Sequence, residues 1–108
     1  LASIEAAAGE VWSVNFGISA KHRPVLILAF PQPENARALV LVAPLTSQLR
    51  GLRGEVDIGK PKWLPKHSAV NVQGLASIDQ NALQRKLGKL PSPQFDAVKD
   101  ALRCLLNL

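Results

Sequence analysis

The chain has 108 residues, which is room for one domain spanning 1–108 and not for two. Apolar residues make up 47% and charged residues 19%, ordinary globular usage that excludes wholesale disorder. Thirteen Lys and Arg against eight Asp and Glu leave a net charge of +5, which points towards a polyanionic partner, most often nucleic acid.

Residues 1–8 are small and weakly patterned, a short helix or a frayed terminus. Glu10–Phe16 alternates, with Trp12, Val14 and Phe16 on one face and Val11, Ser13 and Asn15 on the other, the pattern of a half-buried strand. A short polar loop, 17–22, follows. Arg23–Phe30 and Arg37–Leu45 are continuous apolar runs of the right length for strands buried on both faces, with turn chemistry (PQPEN) between them. Residues 46–67 are polar, basic and rich in Gly and Pro, with a short strand, Glu55–Ile58, inside them. Ser68–Ile78 reads as a strand, Asp79 as the cap of a helical turn through Leu83, and Gln84–Lys89 as either a strand or the tail of that turn. Ser92 is a candidate N-cap with Pro93 at the first helical position. Phe95, Val98, Leu102 and Leu105 then form one apolar stripe, with Asp96–Lys99 and Asp100–Arg103 as i,i+3 pairs on the other side. Several strands followed by one amphipathic helix imply a mainly β fold, a small curled antiparallel sheet or barrel partly covered by the helix.

The single cysteine, Cys104, excludes an intrachain disulfide framework and a multi-cysteine metal site, and a lone thiol fits a reducing cytoplasm. No apolar run approaches the roughly 18 residues of a membrane span, and the N-terminus lacks the pattern of a secretory signal. The chain has no methionine, so further residues are expected before Leu1.

The basic excess is segmental. Residues 46–70 carry Arg50, Arg53, Lys60, Lys62 and Lys66 against Glu55 and Asp57, and residues 80–89 carry Arg85, Lys86 and Lys89 with no acid. Trp63 lies among lysines in PKWLPK, where an indole either stacks a base or anchors the loop. The sequence has no Gly-rich phosphate loop, HExxH or GxSxG, and neither His22 nor His67 has a cysteine partner at zinc spacing. A Ser68–His67–Asp79 set is the kind of grouping that arises by chance. Arg23, which opens one buried run, and Thr46 and Ser47, which close another, place a guanidinium and hydroxyls at strand ends. Phosphodiester cleavage without a metal needs a cation against the phosphoryl charge and groups that relay protons, and the planar fork of arginine matches phosphate. Arg23 solvating a strand end and Thr46 closing a turn are the plainer alternatives.

These residues sit in stretches that resemble the MazF/PemK ribonuclease toxins of bacterial toxin–antitoxin pairs: GEVWSVNFG (9–17), HRPVLIL (22–28), LVAPLTSQ (41–48), LPKHSAVNVQGLASID (64–79), LQRKLGKL (83–90) and FDAVKDALRCLL (95–106). They cover most of the chain in order. The resemblance implies an SH3-like, strongly bent barrel with a C-terminal helix, paired as a homodimer. It also implies metal-independent, sequence-specific cleavage of single-stranded RNA to a 2′,3′-cyclic phosphate and a 5′-hydroxyl, in the cytoplasm and without a cofactor. The family's catalytic arginine falls on Arg23 and its catalytic threonine on Thr46. Ser47 and Gln48 become supporting contacts to substrate. Lys21, His22, Arg50, Arg53, Trp63 and Gln73 complete the expected substrate-binding set. The expected protein partner is an antitoxin with an acidic, otherwise disordered tail.

Three departures from the family pattern stand out. The loop after the first strand is only GISAKH and brings Lys21 and His22 but no carboxylate, which leaves His22 as either a substitute base or a plain exposed histidine. Gln73-Gly74-Leu75-Ala76 stands where many members carry Glu-Gln-Ile-Arg, which leaves open a catalytically impaired module that binds RNA or antitoxin. His67 replaces a usual Asp before Ser68. The chain ends Leu105-Leu106-Asn107-Leu108, unlike the Trp-Gly-Ile ending of a gyrase-poisoning toxin on a similar fold.

Overall fold

The computed structural model describes residues 5–15, 22–31 and 39–108. Three strands form the middle of an antiparallel sheet: β1 (Glu10–Asn15), β2 (His22–Ala29) and β3 (Leu39–Thr46). Their apolar side chains alternate between two faces, as the period of two in a strand requires. Val11 of β1 stands opposite Leu26 of β2, which stands opposite Ala43 of β3, and all three enter one core. The intervening residues Trp12, Val14, Val25, Ile27, Val40 and Val42 enter a second core on the other face.

β3 is the fork of the fold. Its first half pairs with β6 (Ala76–Asp79), and its end pairs with β5 (Ser68–Asn71), which in turn pairs with β4 (Glu55–Gly59). On the far side, β1 pairs with β7 (Leu83–Lys89). The path runs β4-β5-β3-β2-β1-β7 and does not close, so the seven strands among the described residues make a strongly bent, barrel-like sheet. Register shifts in the β1–β7, β2–β3 and β4–β5 pairs add local bend. α1 (Ser92–Leu106) lies against β4 and the 3-10 turn 72–74, and Gln94 Nε2 donates to the Ile58 carbonyl at 3.4 Å.

The structure corrects several sequence expectations. β1 is not half-buried: Val11, Trp12, Ser13 and Val14 are all buried, because both faces of the sheet are covered. The 68–78 strand is broken at Val72–Gly74, where the Asn71 side chain accepts from Gln73 N–H and turns the chain from β5 into β6. Gly74 sits there because a Cβ would fall 2.6 Å from Pro44 Cγ. Gln84–Lys89 is strand, part of β7, whereas Asp79 caps only the short turn 80–82 by accepting from Asn81 N–H at 2.8 Å. The N-cap of α1 is Pro91, and Ser92 is the first helical residue. The Pro91 carbonyl already accepts from Gln94 and Phe95, so the Ser92 hydroxyl has no capping role. Phe95, Val98 and Leu102 of the apolar stripe reach the first core, but Leu105 is 42% exposed. Asp100 pairs with Arg103 at 2.7 Å, while Lys99 lies over the Phe95 ring. Residues 1–4, Phe16, the rest of the 17–21 loop and most of the PQPEN turn lie outside the described residues.

Glu10 links β1 to β7 on the second-core face. Its Oε1 accepts from Trp12 Nε1 and Ala7 N–H, both at 3.0 Å, and its Oε2 lies 3.1 Å from Lys86 Nζ. Burial pushes its acidity towards the neutral form, but the Trp12, Lys86 and Ala7 hydrogen bonds and the Lys86 charge outweigh it and hold the carboxyl below its ordinary value. A carboxylate with a depressed folded-state pKa stabilises the fold above its unfolded pKa, and that contribution is lost as pH falls through the folded value. Glu10→Gln should therefore cost about 1 kcal/mol at neutral pH. In urea unfolding, the gap to wild type should close as pH falls through the ordinary glutamate range and below it. A gap constant with pH would contradict this account.

Candidate active site

The first core runs out of cover at one end. Two residues beyond Val11, Leu26 and Ala43, the same face carries Ser13, Pro24 and Leu45, and these line an open groove of about 880 Å³. The register that sets Val25 opposite Pro44, carried two residues further, sets Arg23 opposite Thr46 at the rim. His22, Arg23, Thr46, Ser47 and Gln48 all line the groove. Thr46 Oγ1 accepts from Gln48 N–H at 3.1 Å, which orients the hydroxyl and leaves its proton available to donate.

The opposite wall is the 60–67 segment and the outer strand β7. Leu64 anchors the segment in the first core, with its N–H on the Pro61 carbonyl. The Trp63 indole lies flat on Gly88 of β7, where a Cβ would fall 2.3 Å from ring atoms. Trp63 is thus a loop anchor, and it also lines the groove. Lys66 and Arg85 complete the cationic lining, and no carboxylate among the described residues belongs to it.

Other expected residues lie elsewhere. Arg50 and Arg53 are exposed on the β3–β4 loop, outside the groove lining, where Glu55 Oε1 accepts from the Arg50 and Leu52 N–H groups. Gln73 is exposed beside Gly54, also outside the lining. Lys21 lies outside the described residues. His67 Nε2 is 2.6 Å from Asp57 Oδ1 on the β4–β5 side. Hydrogen bonds from Gly59 N–H and from His67 hold the Asp57 carboxyl below its ordinary range. No cluster of three or more His, Cys, Asp or Glu side chains suited to a metal occurs among the described residues. No helix among them is long and apolar enough to cross a membrane.

Sequence reasoning missed Ser13 and Arg85 as groove residues. Their signal is the β1–β7 register, Ser13 opposite Arg85, with a shift between Val11 and Trp12 that skips Leu87. A strand pairing with an irregular register is not readable from alternation alone. The close approach at Gly88 predicts that Gly88→Ala displaces the indole. The Trp63 side-chain N–H resonance should move and stability should fall by about 1–3 kcal/mol. An unmoved resonance would reject the stacking.

Residues 7–106 match the family described as the PemK-like, MazF-like toxin of type II toxin–antitoxin systems. A protein named probable endoribonuclease MazF5, from Mycobacterium tuberculosis, is 34% identical over 102 residues, covering 94% of this chain and 93% of that one. Among solved structures, a MazE–MazF crystal structure from Deinococcus radiodurans superposes with a TM-score of 0.80 at 26% identity, over 98% of this chain and 99% of that one. The Mycobacterium tuberculosis toxin MazF-mt6 superposes with a TM-score of 0.78 at 29% identity, over 92% of this chain and 97% of that one. A fork in β3, a helix against β4 and a cationic groove at the end of β1–β3 thus accompany a match along nearly the whole chain, which belongs to the PemK-like, MazF-like family of type II toxin–antitoxin toxins.

Proposed function

We propose that this chain is an endoribonuclease toxin that cuts single-stranded RNA in the groove between Arg23 and Thr46 on one wall and Trp63 and Arg85 on the other. The observation that carries this reading is the lining itself: Arg23, Lys66 and Arg85 with no carboxylate among the described residues. Such a groove attracts a polyanion and repels no part of its backbone. The names of the curated relatives, endoribonucleases of the same family, support the reaction class.

The chemistry follows from the groups at the rim. The 2′-oxygen attacks phosphorus and gives up its proton, while the P–O5′ bond breaks and the leaving oxygen takes a proton from water in the open groove. The products are a 2′,3′-cyclic phosphate and a 5′-hydroxyl. The Arg23 guanidinium stabilises charge on the phosphoryl oxygens, and Thr46 donates to one of them. His22, beside Arg23, supplies the imidazole that takes up the 2′-proton. This assignment needs no metal. Trp63, with one ring face on Gly88, offers a base a place to stack. Antitoxin control follows from the same electrostatics, with an acidic segment competing for the cationic groove, and we assign the toxin a homodimeric state.

The impaired-module alternative rested on residues 73–76. Gln73, Gly74 and Ala76 are not among the groove-lining residues, and Gly74 is explained by its contact with Pro44. That favours the active enzyme. In EDTA, the wild-type protein should cut a long mixed-sequence RNA at discrete sites bearing 5′-hydroxyl ends, and Arg23→Ala should lose about 100-fold or more in rate. RNA left intact by a folded wild-type protein would overturn the reading.

A further inference from the structure

We infer that Arg85 and Ser13 form a second backbone-phosphate subsite, one that holds a phosphate of the RNA other than the scissile one. The inference rests on the ribonuclease reading above and extends it to residues across the groove from Arg23. Ser13 of β1 and Arg85 of β7 are directly opposite in the sheet, so their side chains share one face. Both line the groove.

Two features set this pair apart from an ordinary strand edge. Ser13 is only 9% exposed, and its hydroxyl makes no hydrogen bond to the described residues. No buried side-chain polar atom among them lacks a partner, so the hydroxyl is open to the groove, where it is free to bond whatever occupies it. Arg85 is exposed and has no ion pair among the described residues, whereas its neighbour Lys86 points to the other face and is held by Glu10. The skipped residue in the β1–β7 register makes this possible. Gly88 pairs with Val11 and Lys86 with Trp12, so Leu87 is the extra residue of a bulge, and it lines the groove together with Arg85. The bulge thereby sets the Arg85 guanidinium on the strand that also carries the Trp63 stacking surface. An arginine fork and a neutral hydroxyl donor together match a phosphodiester oxygen pair. Arg23, on β2 at the other wall, remains the partner of the scissile phosphate.

The test uses the full chain and a short RNA with a 2′-deoxy substitution at the mapped cleavage site, which binds without being cut. Binding is measured from 50 to 300 mM salt for wild type, Arg85→Gln, Arg85→Lys, Ser13→Ala and Arg103→Gln. Loss of one phosphate contact to single-stranded RNA lowers the log–log salt slope by about 0.7. Arg85→Gln should show that loss, and Arg85→Lys should restore the slope. Ser13→Ala should weaken binding about fivefold with the slope unchanged, because it removes a neutral donor. Arg103→Gln, a charge lost on α1, should match wild type. On cleavable RNA, Arg85→Gln should raise KM at least fivefold while kcat moves far less. Wild type that cleaves RNA, with Arg85→Gln unchanged in slope and KM, overturns the subsite and leaves the ribonuclease reading intact. Wild type that neither binds nor cleaves RNA overturns the ribonuclease reading itself.

Discussion

The central strands are apolar on both faces, and everything else in the chain answers that demand. Val11, Leu26 and Ala43 need cover on one side, and Trp12, Val25, Ile27 and Val42 need it on the other. A flat sheet of this size could not cover both faces with one helix. The sheet instead forks at β3 and bends, so that β4, β5, the 60–67 segment and α1 close over the first core, while Leu83 and Ile78 come to the second. Cover fails at one end of the first core, where the face continues as Ser13, Pro24 and Leu45. The groove is therefore the uncovered continuation of a packed core. Its floor is built from strands and its rim from strand ends, which suits a site that must hold reacting groups in a fixed geometry.

The charge distribution has a comparable logic. Several acids are engaged within the fold. Glu10 holds Trp12 and Lys86, Glu55 shapes the β3–β4 loop, Asp57 takes His67 and Gly59, Asp79 caps a turn and Asp100 pairs with Arg103. Arg23, Lys66 and Arg85 face the groove with no such partner among the described residues. A net charge of +5 is modest for a polyanion binder. It becomes effective because three cations that no acid engages, Arg23, Lys66 and Arg85, meet at one concave place.

Much of this was legible before any coordinates. The two apolar runs, the 55–58 strand and the C-terminal helix all carry patterns of period or composition that survive folding. The position of Arg23 and Thr46 at strand ends followed from the boundaries of those runs, and their juxtaposition from antiparallel pairing. The features that escaped depend on contacts between distant segments. The double burial of β1 depends on cover supplied by segments far along the chain. Gly74 and Gly88 are small because of Pro44 and Trp63, thirty and twenty-five positions away. Ser13 and Arg85 meet through a bulged pairing between the first and last strands. The Ser92 cap failed for a local reason, since Pro91 already offers the accepting carbonyl.

On the function proposed above, RNA lies in the groove and not on the exposed helix face. The most direct measurement is an NMR titration of the isotopically labelled protein with an uncleavable RNA, following backbone, arginine and indole N–H signals. The account predicts that shifts concentrate at Ser13, Arg23, Thr46, Arg85 and the Trp63 indole, with α1 from Lys99 to Arg103 silent. Shifts centred on α1, with the groove signals unmoved, would contradict it.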